Sequence, residues 1–247
     1  MSKKTKSLGR PIIMVSGDKG GVGKSTVAVN LVEWLLDFED RINLIDTDLT
    51  NPDVHAIYKK EPRINTLSPE DIDLDETDAG GWIQAAKFAS RNPETLVMNM
   101  KAGSKLSLEK YHENVKGMFD AINRPLVLIW VLNIQRQSVI LLLDALENLP
   151  NLHSVVVVKN LKNGFENEFI LWDQKKETNE TFVNSDISEI IFPRVHASIS
   201  LKLMDEKHRI SDLLNDPSYD QIDKANLKKW HEQAAKSFNS VRDKMAL

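Results

Sequence analysis

Lys19-Gly20-Gly21-Val22-Gly23-Lys24-Ser25-Thr26 stands between an apolar run, Pro11-Ile12-Ile13-Met14-Val15, and a helical pattern from Val27 to Phe38. Strand, glycine-rich turn, helix is the context a phosphate-binding loop needs. Glycines let the backbone curl so that successive N–H groups converge on phosphate oxygens. The helix start adds free N–H groups and the positive end of its dipole. In such a loop Lys24 meets the β- and γ-phosphates and the Ser25 hydroxyl ligands Mg²⁺. The competing reading, a glycine-rich turn with two solvated lysines, leaves the flanking strand and helix unexplained.

The strict Walker pattern requires glycine where this chain has Asp18. The variant Lys-Gly-Gly-x-Gly-Lys-Ser/Thr is complete. That stretch resembles the deviant Walker A of the ParA/MinD superfamily of ATPases, most strongly over residues 11–53. The resemblance implies that Lys19 reaches across a dimer interface to the partner's nucleotide, and so implies an ATP-sandwich homodimer. It implies contacts to the nucleotide from Lys19, Gly20, Gly21, Val22, Gly23, Lys24, Ser25 and Thr26.

Working outward, Arg41 to Ile45 reads as a second strand ending in Asp46-Thr47-Asp48. Carboxylates at a strand's C-terminal tip lie in the crevice where open α/β sheets bind ligands. The alternative is a turn with solvated acids, since Asp-Leu-Thr-Asn-Pro-Asp is turn-rich. In the family the matching Asp-x-Asp is a switch. Asp48 is then linked to Mg²⁺ and the attacking water, with Asp46 in support, either acid acting through water. The catalytic set implied is Lys19, Lys24 and Asp48, with Ser25, Asp48 and Asp46 about the metal.

Thr95 to Met100 is the next strand, in the Walker B place. Asn99 stands where the family has an acid. An amide can accept a hydrogen bond from a metal-bound water, but it brings no charge. That weakens the expectation of fast hydrolysis more than that of ATP binding. Ser154 to Val158 leads to Lys159-Asn160, and the resemblance puts Asn160 at the adenine edge. Pro193 and Arg194, after the last strand at Ile187–Phe192, resemble the segment that packs on the base.

Helices are expected at 79–90, 106–121, 138–149, 164–173, 200–214 and 220–245. Residues 52–78 read as a long excursion with one short strand and one helical turn. The last helix carries apolar residues at helical spacing and several lysines. It is read as a packing helix, with lysines on DNA phosphates or a membrane surface as alternatives.

The 247 residues, 41% hydrophobic and 28% charged, fit an ordinary α/β chain. A net charge of −4 argues against bulk electrostatic binding to nucleic acid. The absence of cysteine fits a reducing compartment and excludes the iron–sulfur members of the superfamily, which need thiolates. Six scattered histidines offer no zinc pair. No apolar run approaches a membrane span.

The expectation is a doubly wound α/β fold with a mainly parallel sheet, the P-loop NTPase fold. Residues 1–10 would form a flexible tail and 11–247 one domain. The resemblance implies a cytoplasmic, Mg-ATP-binding, slow ATPase of the short ParA type, acting in plasmid partition, stability or conjugative transfer. No helix-turn-helix precedes the loop, so a separate DNA-binding or cargo adaptor is expected, with nonspecific DNA as a further partner. Two alternatives stand beside it: a nucleotide-binding scaffold with little hydrolysis, and a MinD-like membrane-positioning ATPase.

Overall fold

A computed structural model describes residues 9–17, 20–72, 79–148 and 152–247. The first half alternates β1 (Ile12–Ser16), α1 (Lys24–Leu36), β2 (Ile42–Asp46), α2 (Asp53–Tyr58), β3 (Ile64–Thr66), α3 (Gly80–Arg91) and β4 (Leu96–Asn99). The second half continues with α4 (Ser104–Ile122), β5 (Leu126–Leu132), α5 (Arg136–Asn148), β6 (Ser154–Asn160), α6 (Ile170–Lys175), α7 (Glu180–Asn184) and β7 (Ile187–Phe192). Three helices, α8 (Ala197–Ser200), α9 (Ile210–Asn215) and α10 (Gln221–Asn239), follow β7, with a π-helical turn (Leu201–Asp205) directly after α8.

The strands form one seven-stranded sheet in the order β3-β2-β4-β1-β5-β6-β7, and every pairing is parallel. Near-continuous apolar runs such as Leu126–Leu132 form strands because a parallel sheet is covered on both faces. Alternation along β1 divides the core. Ile13 and Val15 pack with α1, α9 and α10, while Ile12 and Met14 pack with α3, α4 and α5. The doubly wound parallel α/β arrangement expected from the sequence is therefore the one observed.

Three local expectations are corrected. A single helix over 200–214 is instead two short helices separated by the π-helical turn and by Lys207, whose φ is 61°. The Lys207 ammonium is bonded to Asp53 and to the Met204 carbonyl, which holds the break in place. The helix expected at 164–173 starts at Ile170, after a 3₁₀ turn at Glu166–Glu168. Helix α10 ends at Asn239 and a 3₁₀ turn covers Asp243–Met245. Its apolar face packs as expected: Phe238 meets Trp34 and Phe192, and Trp230 meets Phe192. No described helix is long and apolar enough to cross a membrane.

Arg124 ties together the segments that enter the N-terminal ends of the central strands β1 and β4. Its guanidinium donates to the carbonyls of Arg10, Pro11, Ala89, Asn92 and Glu94, one for each of its five N–H donors. Burial pulls its pKa down to about 10, against the opposing effect of Glu94. Arg124→Ala is expected to cost about 3 kcal/mol in urea unfolding. Arg124→Lys should recover less than half, because three donors on a flexible stem cannot serve five carbonyls.

Candidate functional site

The site lies at the C-terminal edge of the sheet, beside its centre. Strand β1 feeds the glycine turn, which runs into α1. Gly21 has φ 85° and Gly23 φ 98°, conformations that favour glycine. At Gly23 a side chain is excluded twice over, since a Cβ would stand 2.3 Å from Asn160 Nδ2. Gly23 is the N-cap of α1 with no side-chain cap, so the first N–H groups of the helix face the cleft. A cavity of about 360 Å³ is lined by Gly20–Gly21, Gly23–Thr26, Asp48, Asp53 and Asn99. Lys24 is buried at its wall.

Strand register gathers the acidic side. Asp46 and Asn99 are partners across β2 and β4, and Asn99 also pairs with Val15 on β1. Asn99 Nδ2 donates to Asp46 Oδ1 at 2.9 Å and to Ser25 Oγ at 3.4 Å. Asn99 Oδ1 is buried with no hydrogen-bond partner, an arrangement rare enough to call for a ligand or water.

Asp46 is fully buried and its oxygens are committed within the chain. Oδ2 accepts from the N–H groups of Val54 and His55 at 2.9 and 3.1 Å, so it holds the start of α2. Oδ1 accepts from Asn99 and from the Asp48 N–H. Asp48 is half-buried. Its Oδ1 accepts from Thr50 and Asn51 N–H groups, and its other oxygen has no partner among the described residues. The two acids thus do different things: Asp46 organises the loop, and Asp48 offers an oxygen to the cavity.

Burial raises the Asp46 pKa to about 6, outweighing the hydrogen bonds from Asn99, His55, Asp48 and Val54. An ordinary aspartate titrates near 3.8. Between those values the unfolded chain releases a proton that the folded chain keeps, so this carboxyl lowers stability as pH rises from about 4 to about 6. The loss expected is roughly 3 kcal/mol. Urea unfolding of the metal-free protein across that range should show it, and Asp46→Asn should remove that part of the slope. Parallel curves for the two proteins would contradict it.

Sequence reasoning missed two residues here. Thr47 accepts from the Lys101 N–H and donates to the Asn99 carbonyl through Oγ1, tying the tips of β2 and β4 together. Its position between two acids was the available signal. Lys162 lines the cavity and donates to the Gly21 carbonyl. Among the expected residues, Lys19 lies outside the described residues. Asn160 reaches the loop and not open space: Nδ2 donates to the Val22 carbonyl at 2.7 Å and Oδ1 accepts from the Lys162 N–H. Pro193 gives its carbonyl to Trp230 Nε1, and Arg194 is exposed.

The chain matches, over residues 13–214, the family model described as the CobQ/CobB/MinD/ParA nucleotide binding domain. It is 31% identical over 235 residues to Protein MobD of Acidithiobacillus ferrooxidans, covering 95% of this chain and 99% of that one. A likeness to the chloroplastic Fe-S cluster assembly factor HCF101 of Arabidopsis thaliana, 46% identical, is confined to 59 residues, 24% of this chain and 11% of that one. Among solved structures, a plasmid partition protein of Borrelia burgdorferi B31 bound to AMPPNP superposes with a TM-score of 0.57 at 13% identity, covering 94% of this chain and 99% of that one. The sequence motif, the sheet order and these matches agree: the chain belongs to the CobQ/CobB/MinD/ParA family of nucleotide-binding domains.

Proposed function

We propose that the chain binds Mg-ATP in this cleft, dimerises with ATP and hydrolyses it slowly, in the service of plasmid or other DNA partition, stability or conjugative transfer. The observation that carries the nucleotide part is the cleft itself. It brings the uncapped N-terminus of α1, Lys24, Ser25, Asp48 and Asn99 to one cavity. The donor set fits magnesium, which prefers oxygen ligands and retained waters. Ser25 Oγ and the unpartnered Asp48 oxygen would hold the ion, and the orphaned Asn99 Oδ1 would accept from one of its waters. When bound, Mg²⁺ neutralises phosphate charge and orients water.

The chain's own part is positioning. The loop amides and Lys24 bind the phosphates. Asp46 holds α2 and thereby the turn that carries Asp48. Pro193 and Arg194 are assigned to the base side on the family resemblance, as Lys19 is to the dimer interface, whereas the Asn160 amide is committed to the loop. The DNA role rests on the same resemblance to ParA-type proteins, with an adaptor protein as partner and a cytoplasmic setting.

Asn99 favours a second reading, a nucleotide-dependent scaffold with little turnover, because its amide adds no negative charge near the attacking water. Steady-state phosphate release with and without DNA separates the two. Sizing in ADP, ATP and a hydrolysis-resistant analogue tests dimerisation. A monomer in all three, with no phosphate released, would contradict the switching ATPase.

A further inference from the structure

The tip of β6 is fastened to the glycine loop by two bonds that span most of the chain's sequence. Asn160 Nδ2 donates to the Val22 carbonyl at 2.7 Å, and Lys162 Nζ donates to the Gly21 carbonyl at 3.2 Å. Asn160 Oδ1 accepts from the Lys162 N–H, which fixes the 3₁₀ turn Leu161–Asn163 and directs Lys162 back to the loop. Lys162 is exposed, and no carboxylate among the described residues pairs with it. Its ammonium is therefore spent on a main-chain oxygen at the wall of the nucleotide cavity.

The consequence follows from peptide geometry. None of the described peptide bonds is cis. In a trans peptide the C=O of one residue and the N–H of the next point in opposite directions. Drawing the Gly21 and Val22 carbonyls toward β6 therefore turns the Val22 and Gly23 N–H groups the other way. A charged donor on the carbonyl also polarises the amide, making its N–H a better donor. The sheet order supports the direction: β6 lies on one side of β1, while Asp48 and Asn99 come from β2 and β4 on the other.

We propose that Lys162 is a positioning residue for nucleoside di- and triphosphates, setting the Val22 N–H through the Gly21 carbonyl without touching the γ-phosphate. This rests on the nucleotide reading of the cleft. A loop amide set in this way serves ADP and ATP alike, whereas a cation aimed at the γ-phosphate would serve ATP alone.

Calorimetric titration with Mg-ADP and Mg-ATP tests it. Lys162→Ala and Lys162→Met are expected to weaken both nucleotides by about tenfold and equally. Lys162→Arg, which can still donate to a carbonyl, should stay within about twofold of the parent chain. Loss confined to ATP, or wild-type affinity in the methionine variant, would overturn the assignment. A parent chain that binds neither nucleotide would overturn the nucleotide reading and this inference with it. Lys162 is exposed, so the variants should fold, and matching urea midpoints would confirm that they do.

Discussion

Lys24→Ala is expected to lower affinity for Mg-ATP by roughly a hundredfold, the size of one lost charge-assisted phosphate contact in a desolvated site. Lys24 is buried at the cavity wall, next to the uncapped start of α1. Removing its ammonium takes from the loop its own charge-assisted contact to the phosphates. Calorimetry or competition with a fluorescent nucleotide measures the change. Unaltered affinity would mean that the nucleotide sits elsewhere. Lys24 differs from Lys162 in this respect: it acts on phosphate, and its loss should hurt ATP more than ADP.

Asn99→Asp is the second large effect, and its direction depends on conditions. A carboxylate at 99 would replace a donor with an acceptor opposite Asp46 Oδ1, 2.9 Å away and fully buried. Two like charges cannot share that space without a proton or a cation between them. The variant should lose about 3 kcal/mol of stability above pH 7 in the absence of metal. It should lose less near pH 5, where Asp46, already raised to about 6, keeps its proton. Saturating Mg-ATP should stabilise the variant more than the parent, and phosphate release should rise. Thermal shift at the two pH values, with and without Mg-ATP, checks all of this. A deficit that Mg-ATP leaves unchanged would place the metal away from Asn99.

The strands were legible because a parallel sheet covered on both faces asks for apolar runs, and Ile187–Phe192 was bounded to the residue. The loop was legible because its glycines and lysines are a local text. The excursion after Asp48 was legible only in outline, as one short strand and one helical turn, which β3 and α2 supply without their bounds having been placed. Its helix α2 is capped by Asp46 from outside the helix, with Val54 and His55 donating to it, and no residue within 52–58 announces that partner.

The segment 197–215 misled for a related reason. Ile199, Leu203, Ile210 and Leu213 are all buried at spacings that suit one helix. The break at Lys207 is set by Asp53, 154 residues away along the chain. Asn160 was placed at the right strand tip, but its bond to Val22 crosses 138 residues and could not be read locally.

A crystal structure grown with Mg²⁺ and AMPPNP is the decisive measurement. The phosphate tail is expected inside the turn from Gly20 to Thr26, with Lys24 upon it and the metal on the side of Ser25 and Asp48. A nucleotide bound outside that turn, with Asn99 Oδ1 still lacking a partner, would contradict it.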